Sequence, residues 1–323
     1  MTRALPLPDP LRGRPFAVAQ ARSLGVSVSR LRASDLVMPT RGARAPVQEP
    51  AAIPLDEFPS TRMERLRHEL FIVAESISPA LSNEQFFSHE TGLALIGAPL
   101  PYTRARAREI HVSARRPAAA PERAGVVGHR LQTREPARWR ARGLPIEHPA
   151  RLWRQAASRW ELDDVIAAGD FLVLPQRKLL TLDDLWRELR EAGDVRGSLL
   201  RRALEEIRPG AETAEETALR LALVRAGLPE PELNVNLFAP DGRFIARLDL
   251  AYRRYRLGVE HDGRTHAFDE KQFARDADRW DDIRSVGWDH VRILSHHLRP
   301  DLRPAVAKVT SALIAAGWSP GAD

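Results

Sequence analysis

The stretch RFIARLDLAYRRYRLGVEHDG, residues 243–263, decides how this chain is read. Phe244, Ala246, Leu248 and Leu250 alternate with Ile245, Arg247 and Asp249, the period-two pattern of a strand. Asp249 sits in its middle, between two leucines. Arg256–Asp262 reads as the next strand, and Gly263 lets the chain turn sharply after it. Glu260 and Asp262 are two residues apart, so they share one face of that strand. The short span between Asp249 and Glu260 fits one tight connection between antiparallel strands. Three carboxylates can then converge. Held together they repel and one protonates, unless a cation intervenes. A hard divalent ion such as Mg²⁺ or Mn²⁺ takes such oxygen ligands and can activate water against a phosphodiester. His266, four residues past Asp262, is the candidate general base or acid. The same residues also fit a plain Asp-Gly turn and a solvated sheet face, and that alternative stays open at this point.

Outward from this stretch, 212–225 reads as a helix, with Thr213 and Glu216 in capping-box form. Leu233–Phe238 alternates as a strand, Asp269–Ser285 is a charged helix, His290–Leu294 a further strand and Ala305–Ala316 a last helix. The order predicts a mixed sheet flanked by helices.

Composition bounds the rest. At 323 residues, two or three domains are expected. Proline-rich linkers and the RPGAETAEET junction suggest units at 1–50, 51–205 and 206–323. A mean hydropathy of −0.35 and the lack of a spanning apolar run argue against a membrane protein. The N-terminus MTRALPLPDPLRGRPF lacks the apolar core of a signal peptide, so a cytoplasmic chain is expected. Without a cysteine, disulfides, thiolate catalysis and cysteine zinc sites are excluded.

The net charge is +6, and it is unevenly spread. Residues 101–160 carry 14 Arg against 4 Glu, and 1–50 are basic too, while the remainder is acidic. A basic front suggests nucleic-acid contact. Near the N-terminus, Phe16–Leu24 reads as a helix, Gly25 as its stop and Ser27–Leu36 as a second helix carrying Arg30 and Arg32. MPTRGAR then reads as a turn between short strands. That is the pattern of a winged helix-turn-helix, with Arg41 and Arg44 on the wing as phosphate contacts. A small packing unit with solvated arginines is the alternative. The middle region mixes helix (Met63–Ile77, Pro149–Leu172, Thr181–Glu191) with strands at Glu109–Ser113 and Gly125–Leu131. His89, His111 and His129 are too far apart in sequence to claim a metal site and read as core or surface histidines. The expected class is α/β in a multi-domain α+β arrangement: winged helix, mixed middle domain and C-terminal sheet.

Two resemblances sharpen this. AVAQARSLGVSVSRLRASDLVMPTRGAR (17–44) and SHETGLALIGAPLP (88–101) resemble AbiEi-type antitoxins, which implies a winged-helix DNA reader and a possible partner toxin. ETAEETALRLALVRAGLPEPELNVNLF, RFIARLDLAY, VEHDGRTH and QFARDADRWDDIRSVGWDHVRI resemble the family known as domain of unknown function 559. That family is grouped with very-short-patch repair endonucleases in the PD-(D/E)xK superfamily. The resemblance implies a restriction-endonuclease-like fold and a metal-dependent DNA endonuclease. It puts Glu216 at the helix acid, Asp249 at the metal-binding aspartate, Glu260 and Asp262 at the strand acids and His266 at the following histidine. Asp276 and Arg279 fall on the helix pair and Arg292 on the strand arginine, with Arg279 also a phosphate contact. The superfamily's usual lysine is Asp262 here, which leaves a fold that binds without cutting as the alternative. A non-catalytic repressor and a protein-interaction module are the rival functions.

Overall fold

The computed structural model describes residues 5–47, 59–102, 109–131, 139–192, 196–262 and 279–321. They form a multi-domain α+β protein with two compact units, Met1–Ser158 and Arg159–Asp323. The sequence punctuation suggests three.

In the first unit β1 (Phe16–Ala17) leads into α1 (Val18–Ser23). A 3₁₀ turn at Arg30–Arg32 precedes β2 (Leu36–Val37) and β3 (Ala43–Pro46). The sheet order is β1-β3-β2, with α1 and the 3₁₀ turn between β1 and the β2–β3 hairpin. Two expectations need correction. Phe16 and Ala17 are strand rather than helix, and the second helix shrinks to one 3₁₀ turn. The Ser27 hydroxyl takes the Arg30 N–H at 3.2 Å as a cap does, but valine and serine are weak helix formers and Leu36 joins β3 opposite Pro46, so the helical turn ends at Arg32. Leu11, Phe16, Ala21, Val26 and Leu31 form the core of this piece.

A larger sheet follows α2 (Pro59–Ile77). It comprises β4 (Gln85–Phe87), β5 (Ile110–Arg115), β6 (Val126–Leu131), β7 (Trp139–Ala141) and β8 (Leu144–Ile146), ordered β6-β5-β4-β8-β7. Helix α3 (His89–Leu95) follows β4 directly, and α4 (Pro149–Ala156) closes the unit. Strands β5 and β6 are parallel, with His111 opposite Val127 and Ser113 opposite His129. Gly128 lies beside His129, and a Cβ there would stand 2.1 Å from the Pro121 carbonyl oxygen. Gly128→Ala is therefore expected to lower stability by about 1–3 kcal/mol in a denaturant titration.

The second unit opens with α5 (Leu162–Val173), α6 (Leu182–Ala192) and α7 (Gly197–Glu206), then α8 (Ala214–Arg225). Strands β9 (Glu232–Phe238), β10 (Phe244–Tyr252) and β11 (Leu257–Asp262) are antiparallel neighbours. Strand β12 (Asp289–Leu294) runs parallel to β11 and completes the order β12-β11-β10-β9. Between β11 and β12 the described chain includes helix α9 (279–285); α10 (Ser295–Leu298) and α11 (Arg303–Ala315) end the unit. Leu219 and Leu223 of α8 and Val309 and Leu313 of α11 pack with Leu250, Val259, Val291 and Ile293. Ile283 of α9 packs instead with Val235, Leu237, Ile245 and Leu248. The mixed sheet flanked by helices is thus as read from the alternation.

Asp164, in the first turn of α5, has its carboxyl pushed up to about 6 by burial and by the charges of Asp163 and Glu161. The folded state then holds a proton that the unfolded chain releases near pH 4. Stability from this group is fully present below pH 4 and is lost as pH rises to about 6. Asp164→Asn is expected to raise stability at pH 8 by about 1 kcal/mol, allowing for solvent screening, and to change nothing at pH 4. Thermal melts of both proteins across that range check the sign.

Candidate active site

Strand pairing brings the first two carboxylates together. Leu250 opposite Val259 is the last pair of the β10–β11 ladder, and Asp249 and Glu260 are the residues next to it on the two strands. Val259, Val291 and Ile293 belong to the α8–α11 side, which turns Glu260, His290 and Arg292 toward α9 by alternation. Asp249 Oδ2 accepts the His261 backbone N–H at 2.8 Å. Its carboxyl is pushed up to about 7: burial is the main cause, and the charges of Glu216 and Glu260 add to it. The His261 N–H and the Arg279 charge pull the other way.

Glu216 is buried at the start of α8. It accepts from the Thr213 hydroxyl and the Glu212 N–H, each at 2.9 Å, and from the Asn234 amide at 2.8 Å. The Thr213 hydroxyl accepts the Glu216 N–H at 3.1 Å, so the box caps the helix while it fixes the acid. Burial raises the Glu216 carboxyl, and these donors offset part of the shift. Arg247 reaches from β10 to the Asn234 oxygen at 3.0 Å. Asn234 and Arg247 escaped the sequence reading because their part is to hold Glu216, which needs the β9–β10 register to be seen.

The other acids are held by arginines. Glu260 Oε1 accepts from Arg279 at 2.6 Å, and the same Arg279 nitrogen donates to the Arg247 carbonyl at 3.1 Å. The second Glu260 oxygen is 3.4 Å from His290 Nε2. Asp262 pairs with Arg292, whose guanidinium also lies over the Trp280 ring. Asp249 and Glu260 therefore share a site, while Asp262 is drawn toward β12. His266 and Asp276 lie outside the described residues. His290 was missed in the sequence: its strand was read, but only the strand order β12-β11 puts it beside Glu260.

At the N-terminal end, the arginines divide. Arg30 forms a two-pronged pair with Asp35 at 2.8 and 2.7 Å, which holds the Asp35 carboxyl below its usual range. Arg44 donates to the Leu31 and Ala43 carbonyls, each at 2.8 Å. Arg32 and Arg41 are exposed.

Among the described residues, two groups bring three ligand atoms within 4.8 Å of one another: His89, His111 and His129, and Glu90, Glu109 and His111. A His/Glu cluster that can bind a metal ion thus lies in the first unit, where sequence separation gave no reason to expect one. Among the described residues, no helix is long and apolar enough to cross a membrane.

Comparison with known proteins adds relatives of distant kind. The chain is 29% identical over 149 residues to two curated proteins of Mycobacterium tuberculosis, "Uncharacterized protein MT2308" of strain CDC 1551 / Oshkosh and "Uncharacterized protein Rv2248" of strain H37Rv. The match covers 42% of this chain and 55% of each relative, so the chain spans about half the length of the curated relatives it matches. No protein-family description matches the chain, and no solved structure does.

Proposed function

We propose that this is a DNA-binding protein whose C-terminal unit hydrolyses DNA phosphodiesters with Mg²⁺ or Mn²⁺ held by Asp249 and Glu260. One observation carries the reading: Asp249 lies next to the last β10–β11 pair, as Glu260 does, and burial, with the charges of Glu216 and Glu260 added, pushes the Asp249 carboxyl up to about 7. Asp249, Glu260 and Glu216 do not bring three ligand atoms within 4.8 Å of one another, so an ion there would draw on Asp249, Glu260 and water; carboxylates that repel one another still favour a hard divalent cation, whose charge relieves the repulsion. Such an ion, when bound, polarises the phosphodiester and favours ionisation of water. The chain's own side chains set the frame. Arg279 orients Glu260, Arg292 holds Asp262 aside as a supporting acid, and the α8 cap fixes Glu216. His266 is assigned the proton, and Arg279 a phosphate contact besides its carboxylate. The basic N-terminal region, with Arg32 and Arg41 exposed, supplies DNA affinity that weakens with salt.

A second reading, a non-catalytic AbiEi-type repressor with a possible partner toxin, is favoured by the Glu260–Arg279 and Asp262–Arg292 pairs. Those pairs neutralise two acids without an ion. Nicking of supercoiled plasmid separates the two. Cleavage by wild type with Mg²⁺ or Mn²⁺, and none by Asp249→Ala, supports hydrolysis. Salt-sensitive DNA binding without cleavage supports the repressor.

A further inference from the structure

The histidine cluster belongs to the first unit, and the carboxylates just described belong to the second. We infer that His89, His111 and His129 bind one borderline-soft divalent cation of the Zn²⁺ class, with Glu90 holding the His111 ring in the ligating orientation. The argument starts with His111, fully buried on β5. Its Nε2 is 3.1 Å from Glu90 Oε1, with Glu109 Oε2 at 3.9 Å on the same nitrogen. A carboxylate at that distance accepts the Nε2 proton and fixes the tautomer, so the Nδ1 lone pair faces the other way. Nδ1 meets His129 Nε2 at 2.9 Å. A carboxylate behind one ring nitrogen, with the other turned toward a second imidazole, is the arrangement that orients metal-bound histidines.

His89 completes the group. Its ring stacks on His129 with centroids 3.8 Å apart and lies 5.3 Å from the His111 ring. The His89 backbone is left-handed, with φ 52°, at the first position of α3. A non-glycine residue pays strain for that conformation, and such strain persists where the surroundings impose it. Here the His89 N–H is anchored by Gln155 Oε1 at 3.1 Å, and its Nδ1 lies 3.0 Å from the Ser88 hydroxyl, itself bonded to Ser113 at 2.7 Å. The imidazoles of α3 and β5 are thereby fixed by buried polar neighbours, and His129 of β6 is held against both by its ring contacts and the bond to His111. Nitrogens around a tetrahedral Zn²⁺ stand roughly 3.3 Å apart, close to the 2.9 Å pair, and the near-parallel rings, 12–26° between planes, must rotate on binding for their in-plane lone pairs to converge. Imidazole donors select Zn²⁺-like ions over Mg²⁺, which sets this site apart from the acidic one. His89 and His129 are half-buried, which leaves an outward side for a water as fourth ligand.

The test uses the full chain, stripped with chelator and titrated with Zn²⁺ by calorimetry in excess Mg²⁺, which occupies the acidic site and leaves the imidazoles to the Zn²⁺. Co²⁺ serves as the spectroscopic probe. Expected are one equivalent of Zn²⁺ per chain and visible Co²⁺ absorption of tetrahedral type. His129→Gln, folded by circular dichroism, should weaken uptake by more than about 100-fold, and Glu90→Gln by about 10–100-fold. Asp249→Asn should bind Zn²⁺ as wild type does, so failure of the nuclease reading leaves this result unaffected. Absence of saturable uptake by wild type overturns the inference and leaves a hydrogen-bonded histidine stack. Unchanged uptake in both His129→Gln and Glu90→Gln, or uptake lost only in Asp249→Asn, overturns it as well.

Discussion

Asp170→Ala is expected to destabilise the second unit by about 3–5 kcal/mol, measured as a shifted urea midpoint with unchanged slope. Asp170 is fully buried on α5 and Arg220 is 2% exposed on α8. The carboxylate accepts the Arg208 N–H at 2.7 Å, the Thr217 hydroxyl at 2.8 Å and Arg220 Nη2 at 2.9 Å. Removing it strands a guanidinium and two further donors in the interior. Joint replacement of Asp170 and Arg220 by apolar residues of similar volume should restore much of the loss, because the desolvation cost disappears with both charges. A loss below about 1 kcal/mol in the single variant would mean that water reaches the pair. The network matters for the site because α8, which carries Glu216, is fixed through it to α5.

Asp249→Ala is expected to slow nicking by roughly three orders of magnitude, the equivalent of several kcal/mol of charge stabilisation. The fold should survive. Asp249 is half-buried, and burial and neighbouring acids already make its charge costly, so the substitution removes repulsion as well as one hydrogen bond from His261. Stability at pH 8 should therefore hold or rise while cleavage falls. That combination separates a positioned acid, kept at a cost, from one that only serves the sheet.

Much of the second unit was legible because its strands alternate cleanly and its turns are marked. The spacing of two strands joined by a short connection allowed Asp249 and Glu260 to come near each other, and the β10–β11 ladder ends beside them. The fate of Asp262 did not follow, since its partner Arg292 is thirty residues away on a parallel strand. In the first unit, GVSVS looked like the start of a helix because Gly25 and Ser27 offer end and cap signals. The Ser27 cap is made, but weak helix formers and the pairing of Leu36 and Val37 with β3 left one 3₁₀ turn. The histidine cluster was hidden for a topological reason: β5 and β6 are parallel neighbours, and nothing in the residues between them announces parallel pairing. His89 became visible as a partner only once α3 was seen to start immediately after β4.

The most direct measurement is strand cleavage of supercoiled plasmid by purified full-length protein over a Mg²⁺ and Mn²⁺ titration, with Asp249→Ala in parallel. The account predicts nicked product that rises with cation concentration, disappears with chelator and is absent for Asp249→Ala. Intact plasmid at every cation concentration, or equal cleavage by wild type and variant, contradicts it.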